Sequence, residues 1–212
     1  MKKLFLMAAV AMMATVNANA QFAEGTWSIQ PMIGGGISTV TNADKINKDA
    51  EMTGAALLGV ELEYQLAEKF SLAAGLNYTQ QGFGIKDQIF MNYDARDIRY
   101  ELSYVKIPVV ANYYLNEHWA VKAGVQVGFL VSANQKFQVK DGKVKADYTV
   151  DCKDDCEKVD FSIPFGVSYQ FNKPWVIDAR YQLGLSNIVK NSGSETFKNS
   201  VFMITVGYKF AL

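Results

Sequence analysis

The chain has 212 residues, of which 50% are hydrophobic, 13% are aromatic and only four are proline. Its 21 basic and 21 acidic residues give a formal net charge of zero, so no basic excess indicates a nucleic-acid partner. The high aromatic share, the scarcity of proline and the 16 glycines favour an all-β chain with many turns.

The first twenty residues have the organisation of a secretory signal peptide. Lys2 and Lys3 precede an apolar run over residues 4–16, and a small-x-small cleavage site ending at Ala20 follows. The run is shorter than the ~18 apolar residues expected of a membrane-spanning helix. We therefore predict a signal peptide over residues 1–20 and a single exported domain over residues 21–212. Loss of the two lysines leaves 19 basic and 21 acidic residues, a formal charge of −2.

The rest of the sequence divides into segments in which apolar residues alternate with small or polar ones. After Trp119, for example, Val121 and Ala123 alternate with Lys122 and Gly124. A period of two residues indicates a β-strand with two different faces. Eight such segments occur, at residues 27–37, 56–66, 70–79, 105–113, 119–132, 160–171, 175–186 and 202–212.

The connections between these segments alternate between short and long. Short turns join the second strand to the third, the fourth to the fifth and the sixth to the seventh, at residues 67–69, 116–118 and 172–174. The other connections hold most of the charge, at residues 38–52, 81–98, 133–157 and 187–198. Short turns at one end and long polar loops at the other are typical of an outer-membrane barrel with its turns in the periplasm.

The bulky apolar face is expected to lie on the outside of the barrel. A soluble barrel of the lipocalin type also alternates, with its apolar face inward. An eight-stranded barrel, however, has an interior only just wide enough for side chains, and about forty bulky residues do not fit there. Glycine, serine, alanine, asparagine and glutamine dominate the opposite face, which suits a narrow lumen. The sequence therefore predicts an all-β, eight-stranded, antiparallel up-and-down transmembrane β-barrel in the outer membrane.

Aromatic residues on the apolar face collect at the end that carries the short turns and the chain termini. Amphipathic rings favour the headgroup level of a bilayer, so we interpret this set as a periplasmic aromatic girdle. Its members are Trp27, Tyr64, Phe70, Tyr113, Trp119, Phe171, Trp175 and Phe210.

Seven charged residues fall on the inward face, and both signs are present. Charges in a confined lumen are tolerated when they are paired. We interpret the set as a salt-bridged plug that closes the barrel, with a polar path for a small ion or solute as the alternative. The residues are Glu61, Glu63, Lys106, Lys122, Asp178, Arg180 and Lys209.

Three prolines fall inside the predicted strands. Pro31, Pro108 and Pro164 each lack the N–H that a strand donates to its neighbour. We therefore expect a bulge or an unpaired, lumen-facing position at each proline.

Cys152 and Cys156 are expected to form a local disulfide, because an exported chain meets an oxidising compartment. A metal site using both thiols and neighbouring carboxylates is the alternative, although two cysteines without histidine are a poor zinc set. The single histidine, His118, lies in a predicted periplasmic turn, away from the outer leaflet where a serine–histidine hydrolase on such a barrel would work. We therefore predict no catalytic, cofactor or metal site.

Several sequence segments resemble those of the outer-membrane β-barrel family of Bacteroidetes-type bacteria that includes PorT-like proteins. These are the run from Phe70 to Gly82, the Y-x-x-I-P segment from Tyr104 to Pro108, the run from Arg180 to Ile188 and the aromatic C-terminal strand ending at Phe210. The resemblance covers essentially the whole exported chain. It implies an eight-stranded barrel in the outer membrane without a general catalytic motif, and it links one branch of the family to type IX secretion.

The leading functional hypothesis is a structural or interaction protein that displays four loops outside the cell. A part in envelope biogenesis or type IX secretion and a narrow porin-like channel are the alternatives. The expected partners are outer-membrane lipid and, through the loops, envelope or secretion proteins, with the barrel as a monomer.

Overall fold

Eight long antiparallel strands form a closed barrel in the computed structural model. The structure describes residues 23–41, 50–85, 88–90, 93–141, 144–172, 174–190 and 196–212. The predicted signal peptide therefore lies outside the described part of the chain. The long strands are β1 (Trp27–Val40), β2 (Ala50–Ala67), β3 (Phe70–Ile85), β5 (Tyr93–Tyr114), β6 (Trp119–Asp141), β8 (Val159–Asn172), β9 (Trp175–Gly184) and β10 (Asn199–Tyr208).

Three short strands and one helical turn complete the described secondary structure. β4 (Gln88–Phe90) and β7 (Val144–Asp151) extend the outer ends of hairpins, a single 3-10 turn spans Lys153–Asp155, and β11 (Phe210–Ala211) continues the last strand. No helix among the described residues is long and apolar enough to cross a membrane.

Each long strand pairs with the one before and the one after it in the chain. The ring closes where β1 pairs with β10 and, at Ile29 and Phe210, with β11. Closure leaves no unpaired strand edge in the hydrocarbon layer, where each unsatisfied backbone group costs several kcal/mol. The predicted eight-stranded antiparallel barrel is confirmed.

The two faces of the strands differ as their alternation predicts. Ile33, Leu58 and Val125 point outward and are each more than 60% exposed, whereas the inward-pointing Glu61 and Asp178 are at most 2% exposed. Lipid rather than protein covers the bulky apolar side chains, and the barrel interior contains the polar ones.

The outer ends of β5 and β6 extend well beyond the predicted strands. They contain 22 and 23 residues, about twice the 9–11 residues that cross a bilayer. Much of the predicted loops 81–98 and 133–157 is therefore strand. Polarity is reversed in these extensions, because Glu101 and Lys136 form a 2.8 Å ion pair on the outside and Leu102 is buried inside. The predicted strands are shorter than the observed ones because the alternation of outward apolar residues stops where each strand leaves the membrane.

Each of the three strand prolines lies at an interruption of one ladder. Pairing of β1 with the last strand is broken between Ile29 and Met32, on either side of Pro31. Pairing of β3 with β5 omits Pro108, and pairing of β6 with β8 omits Pro164. The expected unpaired, lumen-facing positions are confirmed at Pro108 and Pro164, whereas Pro31 interrupts its ladder on the outward face. Each proline keeps its pairing on the other side of the strand.

Candidate functional site

Polar side chains fill the barrel interior in layers between the short-turn end and the outer mouth. The layer nearest the short turns is centred on Glu63 of β2. Lys209 Nζ lies 2.8 Å from Glu63 Oε2, Ser71 Oγ donates to Glu63 Oε1 at 2.7 Å, and Tyr114 Oη donates to the same carboxylate. Lys209 Nζ also donates to Tyr114 Oη at 2.7 Å. Three side chains, one from β3, one from β5 and one from the position between β10 and β11, thus converge on one carboxylate.

The central layer is a four-residue charge cluster. Arg180 donates through both terminal nitrogens to Glu61, with Nη2 2.8 Å from Oε2, and its Nη2 is 3.3 Å from Asp178 Oδ2. Lys122 Nζ lies 3.1 Å from Asp178 Oδ1 and 3.4 Å from Glu61 Oε2. Gln30 Nε2 donates to Asp178 Oδ2 at 2.9 Å. Two cations thus face two carboxylates, which satisfies the charge-pairing requirement of a buried site.

Lys106 forms the layer above through amide oxygens. Its ammonium donates to Gln81 Oε1 at 2.6 Å and to Gln182 Oε1 at 2.7 Å. Gln126 Nε2 donates to the same Gln182 oxygen at 3.1 Å. Lys106 therefore belongs to the interior network, but no carboxylate of the described residues lies within ion-pair distance of its ammonium.

Asp160 is an interior charge that the predicted set lacks. It is 1% exposed, and its carboxylate accepts from Asn199 Nδ2 at 3.0 Å and from Ser186 Oγ at 2.9 Å. With Asp160, the described part of the chain places four acidic and four basic side chains in the interior. The signal that identifies Asp160 is its alternation with Phe161, which places it on the inward face, although it lies only two residues after the charged loop residue Lys158.

The eight predicted girdle residues all lie near the short-turn end of the barrel. Trp27 and Tyr64 are cross-strand neighbours with ring centroids 4.7 Å apart, and Phe70 is paired with Tyr113. The other members are Trp119, Phe171, Trp175 and Phe210. Of the eight residues, six are exposed, and Tyr64 and Phe210 are partly buried. The ring centroids of Trp119 and Tyr169 are 4.7 Å apart, and those of Trp175 and Tyr208 are 5.1 Å apart. Further tyrosines thus lie beside the predicted girdle residues.

The predicted disulfide is not formed, because Cys152 and Cys156 are free thiols. They flank the 3-10 turn as its N-cap and C-cap residues, and the two thiols hydrogen-bond to each other. Burial raises the pKa of the Cys156 thiol to about 12 and also raises the pKa of Cys152. Both thiols are therefore protonated at neutral pH, the form that is poor as a nucleophile and as a metal ligand.

His118 lies in the short turn between β5 and β6, exposed, with its ring stacked on Tyr169 at 5.9 Å. Its backbone N–H donates to Asn116 Oδ1 at 2.9 Å. The histidine is therefore a turn residue at the end of the barrel opposite the long loops. Within the described ranges, no group of three or more His, Cys, Asp or Glu side chains is placed to hold a metal ion.

An apolar cavity of about 400 Å³ occupies the outer mouth of the barrel. Its wall includes Phe83, Tyr100 and Leu102 from β3 and β5, and loop residues Ile188 and Phe197 contribute the other side. The sequence does not predict this cavity, because Phe83, Ile188 and Phe197 fall in predicted loops, and Tyr100 and Leu102 fall outside every predicted strand. The signal is the loss of apolar-out alternation after Thr79, where Phe83 and Ile85 continue on the inward face.

The closed eight-stranded barrel, its outward apolar face and its polar interior define an integral outer-membrane β-barrel protein. The chain belongs to the family described as the outer membrane protein beta-barrel domain, which matches residues 18–190. The protein is thus located in the outer membrane, as predicted.

Solved structures provide further comparisons. Ail, the attachment invasion locus protein of Yersinia pestis, is 17% identical over 89% of this chain and 100% of its own, with a TM-score of 0.50. OprG from Pseudomonas aeruginosa is 11% identical over 92% of this chain and 99% of its own, with a TM-score of 0.44. The similarity to Ail shows a common barrel fold. A search of curated proteins gives no significant match.

Proposed function

We propose that this protein is a closed, monomeric, non-catalytic barrel with a structural and interaction role at the cell surface. The observation that carries the proposal is the central charge cluster. Glu61 lies on β2, Lys122 on β6 and Arg180 on β9, three sides of the eight-stranded ring. Side chains that meet from three sides of so narrow a ring fill the lumen between them, which favours a plug over a pore.

Conductance of the purified protein in planar lipid bilayers tests the plug. If the barrel is closed, the conductance of the bilayer is expected to stay at its baseline value, because the paired side chains leave no continuous water path. Stable, stepwise channel openings at modest voltage would refute the plug and would favour the alternative of a narrow channel for small solutes.

The interaction role rests on the projecting outer sheet. β4, β5, β6 and β7 continue the barrel wall beyond the membrane. Their outward side carries the Glu101–Lys136 pair, whereas the half-exposed Tyr148 lies on the opposite side together with Phe137. Phe137 stacks on Tyr148 with centroids 5.6 Å apart. A rigid strand extension with exposed charge and an exposed aromatic ring provides a surface on which another envelope protein can dock.

Shortening the β6–β7 hairpin tests this role. Lys136 and Thr149 are cross-strand partners, so an Asn-Gly turn replacing residues 137–148 joins two adjacent strand ends. The shortened barrel is expected to fold, as judged by its heat-dependent migration in SDS gels, but to lose the envelope proteins that are cross-linked to the intact protein in living cells. Recovery of the same cross-linked proteins with both forms would contradict the role of this sheet.

A PorT-like part in type IX secretion is the second hypothesis, and its support is the sequence resemblance. The structure gives a simpler account of one resembling segment. Tyr104 and Lys106 are buried, with Lys106 Nζ 5.5 Å from the Tyr104 ring centroid, and Pro108 lies at a ladder interruption. The packing of Tyr104, Lys106 and Pro108 in the barrel is therefore enough to explain why this segment resembles the PorT-like sequences. Export of specific cargo in a deletion strain tests the hypothesis, and unchanged export would refute it.

A further inference from the structure

The outer cavity has the features of a small-molecule binding site. Its volume of about 400 Å³ falls within the ~300–1,000 Å³ range of ligand pockets, which are mostly apolar with a few polar groups. Apolar and aromatic side chains dominate the lining, and Gln135 and Asp155 provide polar groups.

Two loop segments are held together as one wall of the cavity. Glu157 N donates to Ile188 O at 2.9 Å, and Lys190 N donates to Asp155 O at 2.9 Å. Cys156 forms an isolated β-bridge with Val189. This loop wall buries Cys156 and Ile188, which are 8% and 2% exposed, respectively. The apolar lining thus faces a cavity with a fixed shape.

The cavity is blind at its inner end. Tyr104 is fully buried among apolar neighbours that include Leu102 and Leu130, and the ammonium of Lys106 lies 5.5 Å from the Tyr104 ring centroid. Below this level the glutamines around Lys106 and the central charge cluster fill the lumen. A molecule that enters the mouth therefore binds there and has no open path through the barrel.

The charges around the cavity select against anionic ligands. Asp155 is the one charged residue among the described lining residues. Lys190 lies close by, but its ammonium donates to the Asp154 backbone oxygen at 2.8 Å. Among the described lining residues, a carboxylate or phosphate entering the cavity meets no cation, and its charge would remain unpaired in an apolar space, which is costly. A hydroxyl or amide head group can instead hydrogen-bond at Gln135 or Asp155.

We propose that the outer cavity is a binding site for neutral, medium-length alkyl or acyl compounds. At the packing density of protein interiors, about 0.75, a 400 Å³ cavity holds roughly 300 Å³ of ligand atoms, which exceeds the roughly 200 Å³ van der Waals volume of a chain of ten to twelve carbons and leaves room for a head group. The alkyl chain lies among Phe83, Leu102 and Ile188, and the uncharged head group lies at the polar part of the lining. This site is independent of any protein partner of the projecting sheet.

Calorimetric titration of the protein in lipid nanodiscs with 1-decanol tests the proposal, with empty nanodiscs subtracted. We expect one saturable site per barrel and at least about tenfold weaker binding of decanoate at pH 8. The variant Val189→Trp fills the cavity from its lining and is expected to weaken decanol binding at least about tenfold. Thr149→Trp, at an exposed position of β7 on the outward face beside Lys136, is the matched control and is expected to leave binding unchanged.

A chain-length series on the unaltered protein gives a test that does not depend on the folding of a variant. Affinity is expected to rise about fourfold for each added methylene until the cavity is full, and then to stop rising, whereas partition into lipid continues to increase. No saturable heat beyond that of empty nanodiscs, equal binding of decanol and decanoate, or a series without a plateau would each overturn the proposal.

Discussion

Replacing Arg180 by methionine should destabilise the barrel more than any substitution of a surface ion pair. The guanidinium is bonded to both oxygens of Glu61 and lies 3.3 Å from Asp178, and its side chain is only 7% exposed. Methionine fills a similar volume without a charge, so two buried carboxylates are left with Lys122 as their single cation. Removing one partner of a buried pair costs about 3–5 kcal/mol.

The outer pair of Lys136 and Glu101 provides the matched control. Its side chains are 49% and 32% exposed, and exposed pairs contribute about 0–1 kcal/mol. Urea unfolding in lipid vesicles, followed by tryptophan fluorescence as Trp27 and Trp119 leave the interface, gives the free energy of unfolding for Arg180→Met and Lys136→Met. If Arg180→Met and Lys136→Met lowered the free energy of unfolding equally, the central cluster would not be a buried group of charges that depend on one another for pairing.

A second substitution in the same cluster separates loss of packing from unpaired charge. Glu61→Gln removes one of the two carboxylates that lose their partner in Arg180→Met. The double variant is therefore expected to be more stable than Arg180→Met alone. If the decreases in the free energy of unfolding caused by Arg180→Met and by Glu61→Gln simply add in the double variant, the destabilisation by Arg180→Met does not come from unpaired negative charge.

Two further predictions concern the barrel wall. A Cβ on Gly124 would lie 2.0 Å from the Val109 backbone oxygen, whereas a Cβ on Gly54 meets nothing within 4 Å; Gly124→Ala is thus expected to cost about 1–3 kcal/mol and Gly54→Ala far less, as measured by urea unfolding. Val125→Arg places a charge on the lipid face and is expected to cost about 2–4 kcal/mol, whereas Val150→Arg, level with the outer ion pair, is expected to be nearly neutral. Equal losses within either pair of variants would contradict the geometry.

The membrane-spanning part of the fold could be predicted because lipid imposes a strict rule on it. Every outward position from Trp119 to Val131 is apolar or small, so the period of two residues marks both the strand and its orientation. The prolines could be placed for a related reason: Pro108 lacks an N–H, and a ladder must be interrupted on one side of it. Both arguments use local chemistry that a single sequence contains.

The outer third of the barrel could not be predicted by the same rule. Beyond Ser103 the strands continue in water, where Glu101 points outward and Leu102 inward, so the pattern that identifies a lipid-facing strand is reversed. The partners inside the barrel also depend on register and ring closure. Alternation puts Glu61 and Arg180 on the inward face, but it does not reveal that they meet, or that Lys106 is held by glutamine oxygens.

The chain separation within the central cluster has a consequence for assembly. Glu61 and Arg180 are 119 residues apart in the sequence, so neither the first nor the second half of the chain can neutralise its own interior charges. A half-inserted sheet would carry orphan charges at the lipid boundary, and insertion is thus expected to be complete only when the first and last strands meet. A chain that ends before β9 should accordingly remain in the periplasm, accessible to soluble protease, and protection of such a fragment by the membrane would contradict this coupling.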